Sequence, residues 1–201
     1  MSRSCVFVDS HFVVVSGGLA PTAGETIDYL DEETLTRRML DHIREIRGRP
    51  EACFDAFGYH NYGFRTGYVT DPADATNCPD GLCFRGVERL HALLANEYGI
   101  TYPLWTTDSG WMRDFVAGGC GAAAWAPPFS GFAVSDAAQA ENLVGAFQYA
   151  RANWPWLGAM FVANLDYNAR PWAPDPCQDA DGWFAVKGFP AEAALEAMAK
   201  P

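Results

Sequence analysis

The chain is poor in positive charge. Its 201 residues carry 14 Lys and Arg against 25 Asp and Glu, a formal net charge of −11. Phosphate binding needs a basic face, so this balance argues against nucleic acid as a partner. Long apolar runs are also missing. Nothing approaches the roughly 18 apolar residues that mark a bilayer-spanning helix, so no membrane partner is expected. The opening residues, MSRSCVFVDSH, soon turn polar and lack a small-residue cleavage site, which does not read as a signal peptide. No G-x-G-x-x-G turn follows the first apolar run, where residues 16–20 read SGGLA. That weakens a doubly wound, dinucleotide-type sheet, although the length would suit one. Metal spacing is thin as well. Cys78 and Cys83 form one C-x4-C pair, and His91 alone does not complete a zinc set. Asp175, Asp179 and Asp181 faintly resemble a calcium loop but lack its terminal Glu, so no metal is expected.

What is present suits a single soluble domain spanning residues 1–201, with 49% hydrophobic residues, ample for a core. Seven Trp and 14% aromatics stand out, a bias found in many carbohydrate-active proteins. The apolar run at 12–16, ended by Gly17 and Gly18, predicts a strand buried on both faces. Asp31 is placed to cap a helix with Leu35, Met39, Ile43 and Ile46 at helical spacing and Gly48 as its stop. Residues 54–60 predict a second strand, and Val87, Leu90 and Leu94 mark a helix ended by Gly99. Residues 103–108 predict a third strand. A helix with Ala140, Leu143, Val144 and Phe147 inward then opens at Ser135, with Asp136-x-x-Gln139 read as a capping box. Residues 157–165 predict a fourth strand, Trp183 to Val186 a short extended piece, and Pro190 opens a last helix with Leu195 and Met198 inward.

Four strand-then-helix units predict an α/β fold with a parallel sheet. Loops after strands are much longer than loops after helices, the asymmetry that a (β/α) barrel shows at its functional face, and four units make half of a TIM-type barrel. Polar residues cluster at the strand ends: His60 and Tyr62, then Asp108 and Trp111, then Asn164 and Asp166. The pair Asn96-Glu97 lies at the wrong end of a helix to join them. Six cysteines are too few to replace a core in so long a chain. Cys78 and Cys83 suit a local disulfide in an oxidising compartment. Cys120 and Cys177, in the loops after the third and fourth strands, are placed to bridge. Cys53 reads as buried and free. The charges around Arg37, Arg38, Asp41, Arg44 and Glu45 read as a solvated face.

Residues 103–111, PLWTTDSGW, resemble the seventh strand of cellulase-like, clan A retaining glycoside hydrolases, whose pattern is an apolar strand ending in Thr-Glu-x-Gly-Trp. Residues 16–22 (SGGLAPT) resemble the end of strand five of that barrel, residues 54–62 (FDAFGYHNY) strand six, and residues 149–156 (YARANWPW) the approach to strand eight. The matches fall in order over about residues 12 to 198. The resemblance implies the second half of a (β/α)8 barrel that hydrolyses O-glycosidic bonds with carboxylates alone and no cofactor, acts on carbohydrate, and belongs to a family often secreted. It puts Asp108 at the nucleophile position and implies substrate contacts from His60, Tyr62, Trp111, Asn164 and Asp166. Trp111 is the Trp best placed to stack on a sugar, ahead of Trp105 and Trp172, although a Trp is more often core.

Three departures qualify that activity. The family's acid/base sits in an Asn-Glu pair at the end of strand four, before the matched segments. Asp108 is one methylene shorter than the family's Glu, a retreat of roughly an ångström that can cost about 10²-fold in rate. Ala163 also stands where the family often has a stacking Trp. The alternative to hydrolysis is a non-catalytic carbohydrate-binding half barrel or a pseudoenzyme, and Asp108 in Asp-Ser-Gly also suits a plain turn. Half a barrel leaves strand edges open, so self-association through the strands near Val14 and Phe161 is expected.

Overall fold

The computed structural model describes residues 12–22, 24, 30–101, 103–167 and 175–199. The N-terminal residues read for a signal and the candidate Trp172 lie outside them. In chain order the elements are α1 (Glu32–Arg47), β1 (Phe57–Tyr62), α2 (Val87–Tyr98), β2 (Leu104–Gly110), the short α3 (Ala126–Phe129), α4 (Asp136–Asn153), β3 (Leu157–Val162) and α5 (Pro190–Ala197). The strands form one sheet in the order β1-β2-β3, with both pairings parallel. The segment at 12–19 lies parallel beside β1 through bridges at Val15–Ala56 and Leu19–Tyr59. Four strand positions therefore follow one another across the sheet, each leading to a helix, as in half of a (β/α) barrel.

Local chemistry sets the helix ends. Asp31 accepts from the Thr34 amide at 2.8 Å, and Gly48 closes α1 with φ 83°. Ser135 caps α4 by accepting from Ala138 N. The expected capping box is incomplete, because Gln139 is fully buried and donates instead to the carbonyls of Trp111 and Phe184.

One face of the sheet is covered. Phe57, Tyr59 and Leu104 pack there against Leu40 of α1, Leu90 and Leu94 of α2, and Leu143 and Ala146 of α4. The other face is half-open, with Trp105 against Phe161, which is 49% exposed. The run at 12–16 departs from its expected burial on two faces. Phe12, Val13 and Val14 are exposed, since the run meets β1 on one side and nothing among the described residues covers the rest. The inward stripe of α1 is partly shifted. Met39 and Ile43 pack against the core as expected, but Thr36 and Leu40 are fully buried with Glu32 nearly so, while Leu35 and Ile46 face solvent, so the axis of burial leans one residue round from the apolar repeat. Asp181–Phe184 is a single 3-10 turn, not the start of an extended piece.

The structure joins Cys78 to Cys83 and Cys120 to Cys177, each pair with Cα atoms 5.1 Å apart. Cys53 corrects its expected state: it is half-buried and disulfide-bonded.

Candidate functional site

The site begins with a fault in the sheet. Tyr59 pairs with Thr106, but the next residue, His60, pairs with Asp108, so β2 carries one extra residue at Thr107. This is a β-bulge, which re-aims the side chains beyond it. By plain alternation Asp108 would follow Leu104 and Thr106 onto the buried face. The bulge gives that place to Ser109, which is fully buried and donates to Thr106 Oγ1 at 2.9 Å. Thr107 Oγ1 donates to Tyr59 O at 3.3 Å, which ties the bulge to β1. Asp108 is thereby turned to the open face, with its side chain 41% exposed.

His60 Nε2 lies 3.4 Å from Asp108 Oδ2. The imidazole also rests against Gly18, where a Cβ would stand 2.5 Å from Nε2, so glycine is what admits the ring. Tyr62, two residues on, meets the His60 ring edge-on at 6.1 Å between centroids. Its ionisation is pushed well above the usual 10, first by burial, then by the charges of Asp108 and Asp181, with a hydrogen bond to Asp108 adding to it. A neutral phenol is thus held as a donor toward Asp108 at any ordinary pH.

Beside this trio opens a cleft of about 230 Å³, lined by Tyr62, Phe64, Met112, Phe129, Phe132, Ala180, Asp181 and Phe184. The loops after β1, β2 and β3 all contribute to it. Asn164 braces its far wall: Nδ2 donates to Asp181 O at 3.0 Å, and the Asn164 carbonyl accepts from Val186 N at 3.1 Å. The Asn164 Oδ1 is buried without a hydrogen-bond partner among the described residues, and the Ala163–Asn164 peptide is cis.

Two expected contacts lie elsewhere. Trp111 is fully buried, close against Gly63, with its ring tilted over Phe84 at 5.5 Å and its Nε1 donating to Thr66 O at 2.7 Å. Fully buried, it offers no stacking platform. The reason is again the bulge: once Asp108 turns outward, the chain re-enters the core at Trp111. Asp166 is engaged by Lys187 Nζ at 2.8 Å, a contact between the start and end of the loop after β3. Glu97 pairs with Arg37 through two hydrogen bonds of 2.7 and 2.8 Å, so the Asn96-Glu97 pair ties α2 to α1, and Arg37 is more than part of a solvated face. Asp175 and Asp179 accept from the amides of Cys177 and Asp181, which is turn chemistry. No group of metal-ligating side chains is assembled among the described residues.

Phe64, Phe132, Phe184 and Asp181 do not stand out in the sequence as members of one site. Each lies in a strand-to-helix loop, the region a parallel sheet reserves for chemistry, but nothing in their local spacing brings three loops together.

No family model matches the chain, and no curated protein does. Among solved structures, the complex of a GH113 beta-1,4-mannanase is similar at a TM-score of 0.41 and 15% identity, over 74% of this chain and 40% of that one. At that TM-score the likeness carries no argument about the site. The chain spans well under half the length of that mannanase chain.

Proposed function

We propose that this chain is a glycoside-hydrolase-like half barrel whose strand-end site recognises a carbohydrate, with Asp108 at the nucleophile position of an incomplete retaining machinery. One observation carries the reading. A bulge turns Asp108 out at the end of two parallel strands, with His60 3.4 Å away and the neutral Tyr62 hydroxyl beside it. A carboxyl group with a neighbouring imidazole and phenol offers the donors and acceptors that sugar hydroxyls pair with.

Retaining hydrolysis needs a second carboxyl group about 5–5.5 Å from the nucleophile to protonate the leaving oxygen. The resemblance puts that group on strand four, outside the matched segments. Recognition is therefore the expected activity of residues 1–201 alone, and self-association through the open strands near Val14 and Phe161 belongs to the same proposal.

The test is calorimetric titration with soluble glucan and mannan oligosaccharides, run beside an assay of reducing-end release. Tyr62→Phe is expected to weaken binding by about tenfold, the worth of one neutral hydrogen bond. Binding that survives Asp108→Asn, with no release by the parent chain, supports recognition. Release abolished by Asp108→Asn and raised by Asp108→Glu would establish catalysis by this chain. An absence of binding to every oligosaccharide would reject the carbohydrate reading.

A further inference from the structure

The cleft beside Asp108 has a shape that does not suit the flat face of a sugar ring. Its aromatic walls meet at steep angles: Tyr62 and Phe64 at 79°, Phe64 and Phe132 at 71°, Tyr62 and Phe184 at 48°. The centroids stand 6.5, 5.1 and 5.2 Å apart, so the rings wall the cleft at angles to one another, and Phe129 and the nearly fully buried Met112 also line it. A sugar stacks on one open aromatic platform and needs hydrogen-bonding groups around its rim. This cleft supplies few: the Tyr62 hydroxyl and the Asp181 carboxylate are its side-chain polar groups.

Its electrostatics point one way. Asp181 lines the cleft with its charge acting on Tyr62, and Asp108 lies just past Tyr62. No Lys or Arg is among the described residues that line it. The chain as a whole carries −11, which raises the local concentration of cations at any cleft of this sign. Aromatic faces present negative charge density, and several faces around one point attract a cation that is large and weakly hydrated. A metal ion is the wrong occupant, because carbon-lined walls cannot replace its hydration shell.

We propose that this cleft binds an organic ammonium cation, of the quaternary or methylated class, with Tyr62, Phe64, Phe132 and Phe184 facing its methyl groups and Asp181 balancing its charge. The volume of about 230 Å³ accommodates a trimethylammonium head with a short chain leading out. The proposal shares Tyr62 and the neighbouring Asp108 charge with the carbohydrate reading but requires neither sugar binding nor hydrolysis.

The experiment uses the full chain with ¹³C-labelled methionine methyl groups, the Met112 signal being assigned by Met112→Leu. Choline is titrated against its neutral isostere, in which carbon replaces the quaternary nitrogen. Choline is expected to shift the Met112 methyl saturably and to bind at least about fivefold more tightly than the isostere, as cation–π attraction in a partly desolvated cleft requires. Asp181→Asn is expected to weaken choline by about fivefold and leave the isostere unchanged, with Phe132→Ala weakening choline similarly. Equal affinity of the two ligands would make the cleft merely apolar and overturn the proposal. So would a Met112 signal that choline does not move. The isostere comparison is made on the unaltered protein, so it decides the matter even where a variant fails to fold. Oligosaccharide binding without choline binding rejects this proposal alone; the reverse rejects only the carbohydrate reading.

Discussion

The described residues form two cores of different construction. The larger lies between the sheet and α1, α2 and α4, and is built from residues on regular elements, such as Phe57, Leu90, Leu104 and Leu143. The smaller sits among the loops beyond the strand ends and gathers Met112, Phe115, Cys120, Ala126 and Trp183. In the first, most backbone groups find partners within helix and sheet, and side chains such as Trp111 and Gln139 hold backbone only where the chain leaves β2. The second has little regular structure to do this, and its side chains hold the backbone instead. Trp125 donates to Cys177 O, Trp183 to Pro176 O, and the buried Arg113 to Ala185 O and Gly182 O. A covalent bond, Cys120–Cys177, closes the set. Loops can carry a site only when something replaces the hydrogen bonds a helix would supply, and here indoles, one guanidinium and one disulfide do so. The Asp108–Tyr62 trio and the aromatic cleft lie where the two cores meet.

The largest effect that separates the regions is expected at Trp111. Trp111→Ala removes a fully buried indole from the larger core and should cost about 3–5 kcal/mol by urea unfolding. Phe161→Ser, on the half-open face of the same sheet, should change stability by no more than about 0.5 kcal/mol. It should also reduce self-association measured by light scattering. A large loss at Phe161, or a small one at Trp111, would erase the contrast between the two faces.

Next in size are the crosslinks. Cys120–Cys177 spans 57 residues and Cys78–Cys83 only 5. Loop-closure entropy makes the long bridge worth about 4 kcal/mol and the short one about 2 kcal/mol. Replacing Cys120 and Cys177 by Ser should therefore cost more than the same change at Cys78 and Cys83. Hydrogen exchange should show its opening concentrated around Phe115, Trp125 and Trp183. Exchange raised equally in α2 and α4 would mean that the loop core is not a separate unit.

The smallest effect concerns pH. Burial, then the charges of Asp108 and Asp181, raise the Tyr62 ionisation above the usual 10. The folded protein holds this proton more tightly than the unfolded chain does. The resulting stability is present in full below pH 10 and is lost as pH rises toward the folded-state value. Tyr62→Phe should remove part of the alkaline decline in stability and delete one late step from the phenolate absorbance titration. Loss of an ordinary step near 10 instead would place Tyr62 in open solvent.

Much of the framework is legible in the residues themselves. Asp31, Ser135, Gly48 and Gly99 mark helix ends because capping and left-handed φ are local chemistry. The succession of apolar runs and helical stripes is local as well, and it carries the parallel α/β order. The stripe of α1 is partly misphased because burial depends on what faces the helix, and Thr36 is buried as fully as Leu40. Cys53 reads as a free thiol because a disulfide depends on a distant neighbour. Asp166 looks available because Lys187, its partner, is 21 residues away.

Local chemistry specifies most of the elements, their order and the groups available at the strand ends. Which of those residues meet is set by packing. One extra residue in β2 puts Asp108 on the open face and returns Trp111 to the core, and that parity change is visible only in the pairing of β2 with β1 and β3. The aromatic cleft likewise needs three loops to converge, and their separation along the chain hides it from any local pattern. Spacing along a chain encodes which face of its own element a residue occupies. What stands across from it is set by packing between elements, and there the site is made.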